Sequence, residues 1–154
     1  MKTFETTDSR TIDRSAAELL DRITAPATWP EWQPEILRTD GPSHVGAGDV
    51  VSGNASMLGF EVAGRATIDH VDERTVEHDV IVGIRMRVSY DVTRGDNGTT
   101  VTHRLSTELP SGLLGRMLSV FLKPRLRAMQ RELLDNLASG AGVSVKRAPA
   151  DSLA

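Results

Sequence analysis

Leu113-Leu114-Gly115-Arg116-Met117-Leu118-Ser119-Val120-Phe121-Leu122 opens the one long helical pattern of the chain, which runs from Ser111 to about Leu137. The stretch is apolar over more of its circumference than a surface helix needs. An apolar helix must lie against a second layer. The only large partner in the sequence is the ribbon that precedes it, Glu35 to Pro110. A sheet curved around a single helix need not be filled by its own side chains, so this pairing leaves room for a cavity.

Working backwards through the ribbon, strands are expected near 35–40, 49–57, 60–71, 75–82, 84–94 and 99–109, with an edge-type strand at 3–13. Gly41-Pro42 and Gly46-Ala47-Gly48 mark bends. Gly95-Asp96-Asn97-Gly98 marks a hairpin, because these residues accept positive φ cheaply. The join at Val82-Gly83-Ile84 is weakly signalled and suits a bulge. In 84–94 the apolar residues hold even positions, and in 99–109 odd ones. One register sets Val88 against Leu105, Tyr90 against His103 and Val92 against Val101. The same register places Arg85 opposite Glu108 and Ser89 opposite Arg104 on the solvated face. A slip of one residue would bury the arginines.

In 60–71 and 75–82 the even positions are again apolar: Phe60, Val62, Ala66 and Ile68, then Val76, Val80 and Val82. An odd loop, Asp72-Glu73-Arg74, keeps both sets on one face and makes His70 and His78 diagonal inner neighbours. Strand 49–57 is ambiguous, since Val50 and Val51 compete for the same face.

Before the ribbon, Ser15-Ala16-Ala17-Glu18 has the form of a capping box, followed by Leu19, Leu20 and Ile23 as a buried stripe, with Pro26 as the stop. Thr28-Trp29-Pro30-Glu31 starts a second short helix that ends at Pro34. Beyond the long helix, residues 140–154 are small and polar and are expected to form a disordered tail, leaving one domain over 1–139.

At 154 residues, 39% hydrophobic and 25% charged, the chain fits one soluble domain with a real core. It has no Cys, which removes disulfides, thiolate nucleophiles and thiolate metal sites. The first residues lack the basic-then-apolar pattern of a secretion signal, and the longest apolar run is shorter than the roughly 20 residues that span a bilayer. A cytoplasmic location is expected. A net charge of -3 argues against nucleic acid as a partner.

The expected inner wall is aliphatic, with His78, Tyr90 and His103 as polar points. A mostly apolar pocket with few placed polar groups is the usual form of a small-molecule site. Its candidate lining is His78, Met86, Val88, Tyr90, His103 and Leu105, with Trp32, Met117 and Phe121 covering it. Tyr90 and His103 either offer hydrogen bonds to a ligand or satisfy each other or backbone; His103 and Tyr90 are also the candidate catalytic residues. His70, near a hairpin end, reads rather as a solvent-exposed rim residue. Trp29 and Trp32 are either an aromatic gate or core packing. His44, His70, His78 and His103 show no metal-ligand spacing, and no phosphate loop, dinucleotide fingerprint or nucleophile elbow is present. No metal and no cofactor is expected. Arg116, Lys123, Arg125, Arg127 and Arg131 make the long helix basic, and Pro124 interrupts its hydrogen bonding.

The order of these elements resembles the SRPBCC superfamily (START-like, helix-grip fold) and its polyketide cyclase/dehydratase-like branch. The motifs that carry the resemblance are Thr11-Ile12-Asp13-Arg14-Ser15-Ala16-Ala17-Glu18-Leu19-Leu20, Trp29-Pro30-Glu31-Trp32-Gln33-Pro34, Gly98-Thr99-Thr100-Val101-Thr102, and Leu122-Lys123-Pro124-Arg125-Leu126 onward to Leu137. It covers about residues 3–138. It implies an α+β fold in which a seven-stranded curved antiparallel sheet wraps a long C-terminal helix, with two short helices after the first strand. It implies no single activity, since members include lipid carriers, quinone-binding proteins, cyclases and dehydratases. The expected function is binding or carriage of a hydrophobic small molecule, such as a lipid, isoprenoid, quinone or polyketide. The alternatives are a cyclase, aromatase or dehydratase using His103 and Tyr90, and a membrane- or protein-contact module working through the basic helix.

Overall fold

A computed structural model of the chain describes residues 2–140. The tail expected at 140–154 lies, beyond Gly140, outside the described residues. The elements are β1 (Lys2–Ile12), α1 (Ala16–Thr24), a single 3-10 turn, α2 (Trp29–Trp32), β2 (Ile36–Asp40), β3 (Val50–Met57), β4 (Phe60–Val71), β5 (Thr75–Val82), β6 (Ile84–Gly95), β7 (Gly98–Leu109) and α3 (Gly112–Ser139). All seven strands form one antiparallel sheet in the order β1-β7-β6-β5-β4-β3-β2. The sheet curves, and α3 packs across its concave face against β1 and β7. This is the helix-grip architecture.

The β6–β7 register matches the alternation of the sequence: Val88 pairs Leu105, Tyr90 pairs His103, Val92 pairs Val101 and Ser89 pairs Arg104. Arg85, expected across from Glu108, reaches the other way and grips Asp79 of β5 with Nε and Nη2. The β5–β6 join is tighter than a bulge. Val82 pairs directly with Ile84, and Gly83 turns the chain at φ +76°, which only glycine adopts without strain.

In β4 the even-position pattern holds only as far as Ile68, which pairs His78. A bulge follows, so His70 pairs Glu77 and Val71 pairs Val76. His70 is therefore not an inner neighbour of His78. It is exposed and bonds Asp72 at 2.7 Å, and that hydrogen bond raises its pKa. Phe60, also expected inside, is 73% exposed at the strand tip. The Val50/Val51 ambiguity resolves in favour of Val51, which is buried while Val50 faces solvent.

Around α1 and α2 one half of the capping box forms. The Glu18 N–H donates to the Ser15 hydroxyl, while the Glu18 carboxylate turns to Arg14. The two short helices bury Leu19, Ile23, Trp29 and Trp32 against the lower part of α3, where Leu133, Leu134 and Leu137 are fully buried.

Candidate ligand-binding site

Between α3 and the sheet lies a hollow walled by β2 to β7, α2 and the middle of α3. It exists because the inward residues of two neighbouring strands are small. Gly53 pairs Gly64, Val51 pairs Ala66 and Ala55 pairs Val62, all on the concave face. A Cβ at Gly53 would stand 2.2 Å from the Arg38 carbonyl, and one at Gly64 would stand 2.9 Å from the Ile81 carbonyl, so the strands approach closely there. About 120 Å³ of the hollow is open to the centre of a water-sized sphere. One such sphere needs roughly 15 Å³, so the space exceeds that of a single ordered water. The deep end, at His78, Tyr90, His103 and Leu105, is buried; the rim, at Arg38, Ser52 and Asn54, is exposed or half-exposed.

A row of rings closes the deep end. Trp29 stacks on His78 with centroids 5.3 Å apart, His78 tilts against Tyr90 at 5.9 Å, and Tyr90 meets His103 edge-on at 4.8 Å. Trp32 stands edge-on to Tyr90 at 5.9 Å. The indole N–H groups are used locally: Trp29 donates to the Ile23 carbonyl and Trp32 to the Thr28 hydroxyl.

His103 is held by α3. The Gln130 amide nitrogen donates to His103 Nδ1 at 2.9 Å and to the carbonyls of His103 and Thr6, while the Thr6 hydroxyl donates to Gln130 Oε1. A nitrogen facing two carbonyls must be the donor, so Nδ1 is an acceptor and the ring carries its proton on Nε2. Burial, aided by the neighbouring His78, pushes the His103 pKa down to about 3. Burial likewise lowers His78 to about 4 and raises Tyr90 above its usual value. All three groups are neutral near pH 7. His78 Nε2 is buried and has no hydrogen-bond partner among the described residues. Leaving a buried polar atom unpaired costs about 1–3 kcal/mol. The site therefore offers neutral hydrogen-bonding groups at the end of an apolar hollow.

Of the nine lining candidates, His78, Met86, Val88, Tyr90, His103 and Leu105 come together on this wall. Trp32 does not. It lies one layer behind, fully buried, and Trp29 takes the lining position. Met117 and Phe121 are on the opposite side of α3, 54% and 67% exposed. Because the first half of the helix is apolar on both faces, sequence alone does not say which face turns inward. The inner face is Gly115, Leu122 and Leu126. Sequence reasoning also passed over Gly53, Gly64, Ala55 and Gln130. A lone amide at helical spacing among Leu126, Leu133 and Leu137 was the available signal for Gln130. Among the described residues no cluster of His, Asp and Glu could hold a metal ion.

The site and its frame define a helix-grip domain of the SRPBCC superfamily, polyketide cyclase-like branch. The family described as polyketide cyclase / dehydrase and lipid transport matches residues 3–142, and the chain belongs to it. Among solved structures, the Zhui aromatase/cyclase from Streptomyces sp. R1128 superposes with a TM-score of 0.78 at 12% identity, covering 94% of this chain and 96% of that one. A START superfamily protein from Mycobacterium smegmatis gives 0.67 at 11% identity over 86% and 96%. The di-domain aromatase/cyclase BexL of the BE-7585A biosynthetic pathway gives 0.74 at 17% identity, over 90% of this chain and 50% of that one. The present chain thus spans about half the length of such di-domain proteins. These identities show a shared fold alone. Comparison with curated proteins gives no match.

Proposed function

We propose that the protein binds and carries a hydrophobic small molecule, of lipid, isoprenoid, quinone or polyketide-like character, whose one polar group is received by His78 and Tyr90. The carrying observation is that His78, whose Nε2 is buried without a partner, lines an otherwise apolar hollow. A carbonyl or hydroxyl on the ligand would supply the missing hydrogen bond, and the aliphatic wall of Met86, Val88 and Leu105 would take its apolar body.

The rival reading is a cyclase or dehydratase with His103 and Tyr90 exchanging protons. Its support is the edge-on contact of those two rings on the cavity wall. Against it weigh the low basicity of a buried His103 whose Nδ1 is already engaged by Gln130, and the raised pKa of Tyr90. A general base works best with a pKa near the operating pH.

Native mass spectrometry of the purified protein, followed by organic extraction, tests the reading. A co-purified hydrophobic molecule is expected, and Ala55→Phe, which fills the hollow from β3, should remove it without unfolding the chain. A wild-type protein that carries nothing, and that takes up neither a fatty acid nor a short-chain quinone, would overturn the proposal.

A further inference from the structure

We infer that the first half of α3 is a docking surface for an anionic lipid bilayer. Leu113, Leu114, Met117, Val120 and Phe121 are 75%, 66%, 54%, 68% and 67% exposed. At 3.6 residues per turn these five, with Pro124, fall within one arc about 120° wide. Gly115, Leu122 and Leu126 are on the far side of the helix and are buried. The helix is therefore apolar on two opposite faces, and the protein itself uses only one.

Charge selects the occupant. From Pro110 to Arg131 there is no Asp or Glu, although the whole chain carries a net charge of -3. Arg116, Lys123 and Arg127 run along one margin of the apolar arc, the last two passing over the Phe4 ring, while Arg125 on the other margin is paired with Glu35. A convex ridge with apolar residues along its crest and a row of cations beside it is the layout of a helix lying among lipid headgroups. A second copy fits poorly, since twofold packing of this ridge would set cations against cations. A second exposed apolar element belongs to the same end of the molecule. Leu58 and Phe60, 45% and 73% exposed, form the β3–β4 turn. The adjoining Met57 and Val62 pack in one cluster with Leu122 and Leu126. The surface stands on these observations whatever the hollow holds.

Flotation of the full chain with vesicles tests the inference, using phosphatidylcholine alone and an equimolar mixture with phosphatidylglycerol. Binding is expected on the mixed vesicles and should weaken as salt rises, because electrostatic attraction is screened. Met117→Asp with Phe121→Asp should abolish it. Arg116→Gln with Arg127→Gln should weaken it about 30-fold, taking each cation near the surface as worth about 1 kcal/mol. All four positions are exposed, so circular dichroism should be unchanged. No flotation with anionic vesicles, or equal flotation on neutral vesicles without salt dependence, would overturn the inference. So would a wild-type dimer in sedimentation that becomes monomeric in the Met117→Asp, Phe121→Asp variant. If the aspartate variant fails to fold, the glutamine pair decides alone.

Discussion

The side-chain amide of Gln130 in α3 stands 2.9 Å from Nδ1 of His103 in β7, and the same nitrogen reaches the main chain of β1 at Thr6. One buried amide thus joins the helix to two strands and fixes the tautomer of a ring on the cavity wall. Gln130 and His103 are 2% and 1% exposed, so water cannot replace the contact without the helix moving.

Gln130→Leu keeps the side-chain bulk and removes the donor. His103 Nδ1 and the Thr6 hydroxyl lose their buried partner, at a cost of about 1–3 kcal/mol. Urea unfolding should show a lower midpoint with an unchanged slope. Nitrogen NMR of His103 should show mixed tautomers in place of one. Stability equal to wild type would mean that the network contributes nothing net.

His78→Phe separates stability from binding. The phenyl ring can keep the stack on Trp29 while removing the unpartnered nitrogen. The ligand-free protein should gain about 1 kcal/mol, because the desolvation penalty of an unsatisfied group disappears. The amount of ligand recovered by extraction should fall. A variant of lower stability with full ligand occupancy would show that Nε2 has no part in recognition.

Acid should destabilise the fold before any carboxylate titrates. His78 and His103 are held at about 4 and about 3, against roughly 6.5 in the unfolded chain. Above about 6.5 both states are neutral at these two rings and the rings cost no stability. As the pH falls below that value the unfolded chain takes up protons that the folded chain refuses, and stability drops. With both rings contributing, the slope approaches two protons, about 2.7 kcal/mol per pH unit, down to roughly pH 4. Asp72, held at about 2, adds a loss only at lower pH. Urea midpoints between about pH 7 and pH 5 measure the slope, and His78→Phe should remove close to half of it. A flat profile would contradict the burial of these rings.

Much of the fold was legible because several signals agreed. The β6–β7 register satisfied an apolar face and a charged face at once, and a wrong register would have violated both. His70 is the exposed rim residue its place near a hairpin end suggests, but its pairing beside His78 fails because the β4 bulge after Ile68 leaves no compositional mark. The hollow was less visible. It is made by Gly53, Gly64 and Ala55, and small residues add nothing to an alternation of large apolar and polar ones. Met117 and Phe121 were assigned inward because hydrophobicity normally reports burial, and here it marks a surface left bare.

The side-chain anchors of α3 are unevenly spread. Arg125 to Glu35, Gln130 to His103, Asp135 to Arg10 and Asn136 to the Trp32 carbonyl all lie past Pro124. Pro124 has no N–H to give to Val120, so the backbone ladder is also thinnest where the anchoring begins. The helix is built like a cantilever, clamped along its second half and held along its first by apolar contact and the Lys123 ammonium over the Phe4 ring. Hydrogen exchange should rise in a step at that boundary. Among the described residues, the free arm can lift from the sheet without breaking a side-chain hydrogen bond or an ion pair.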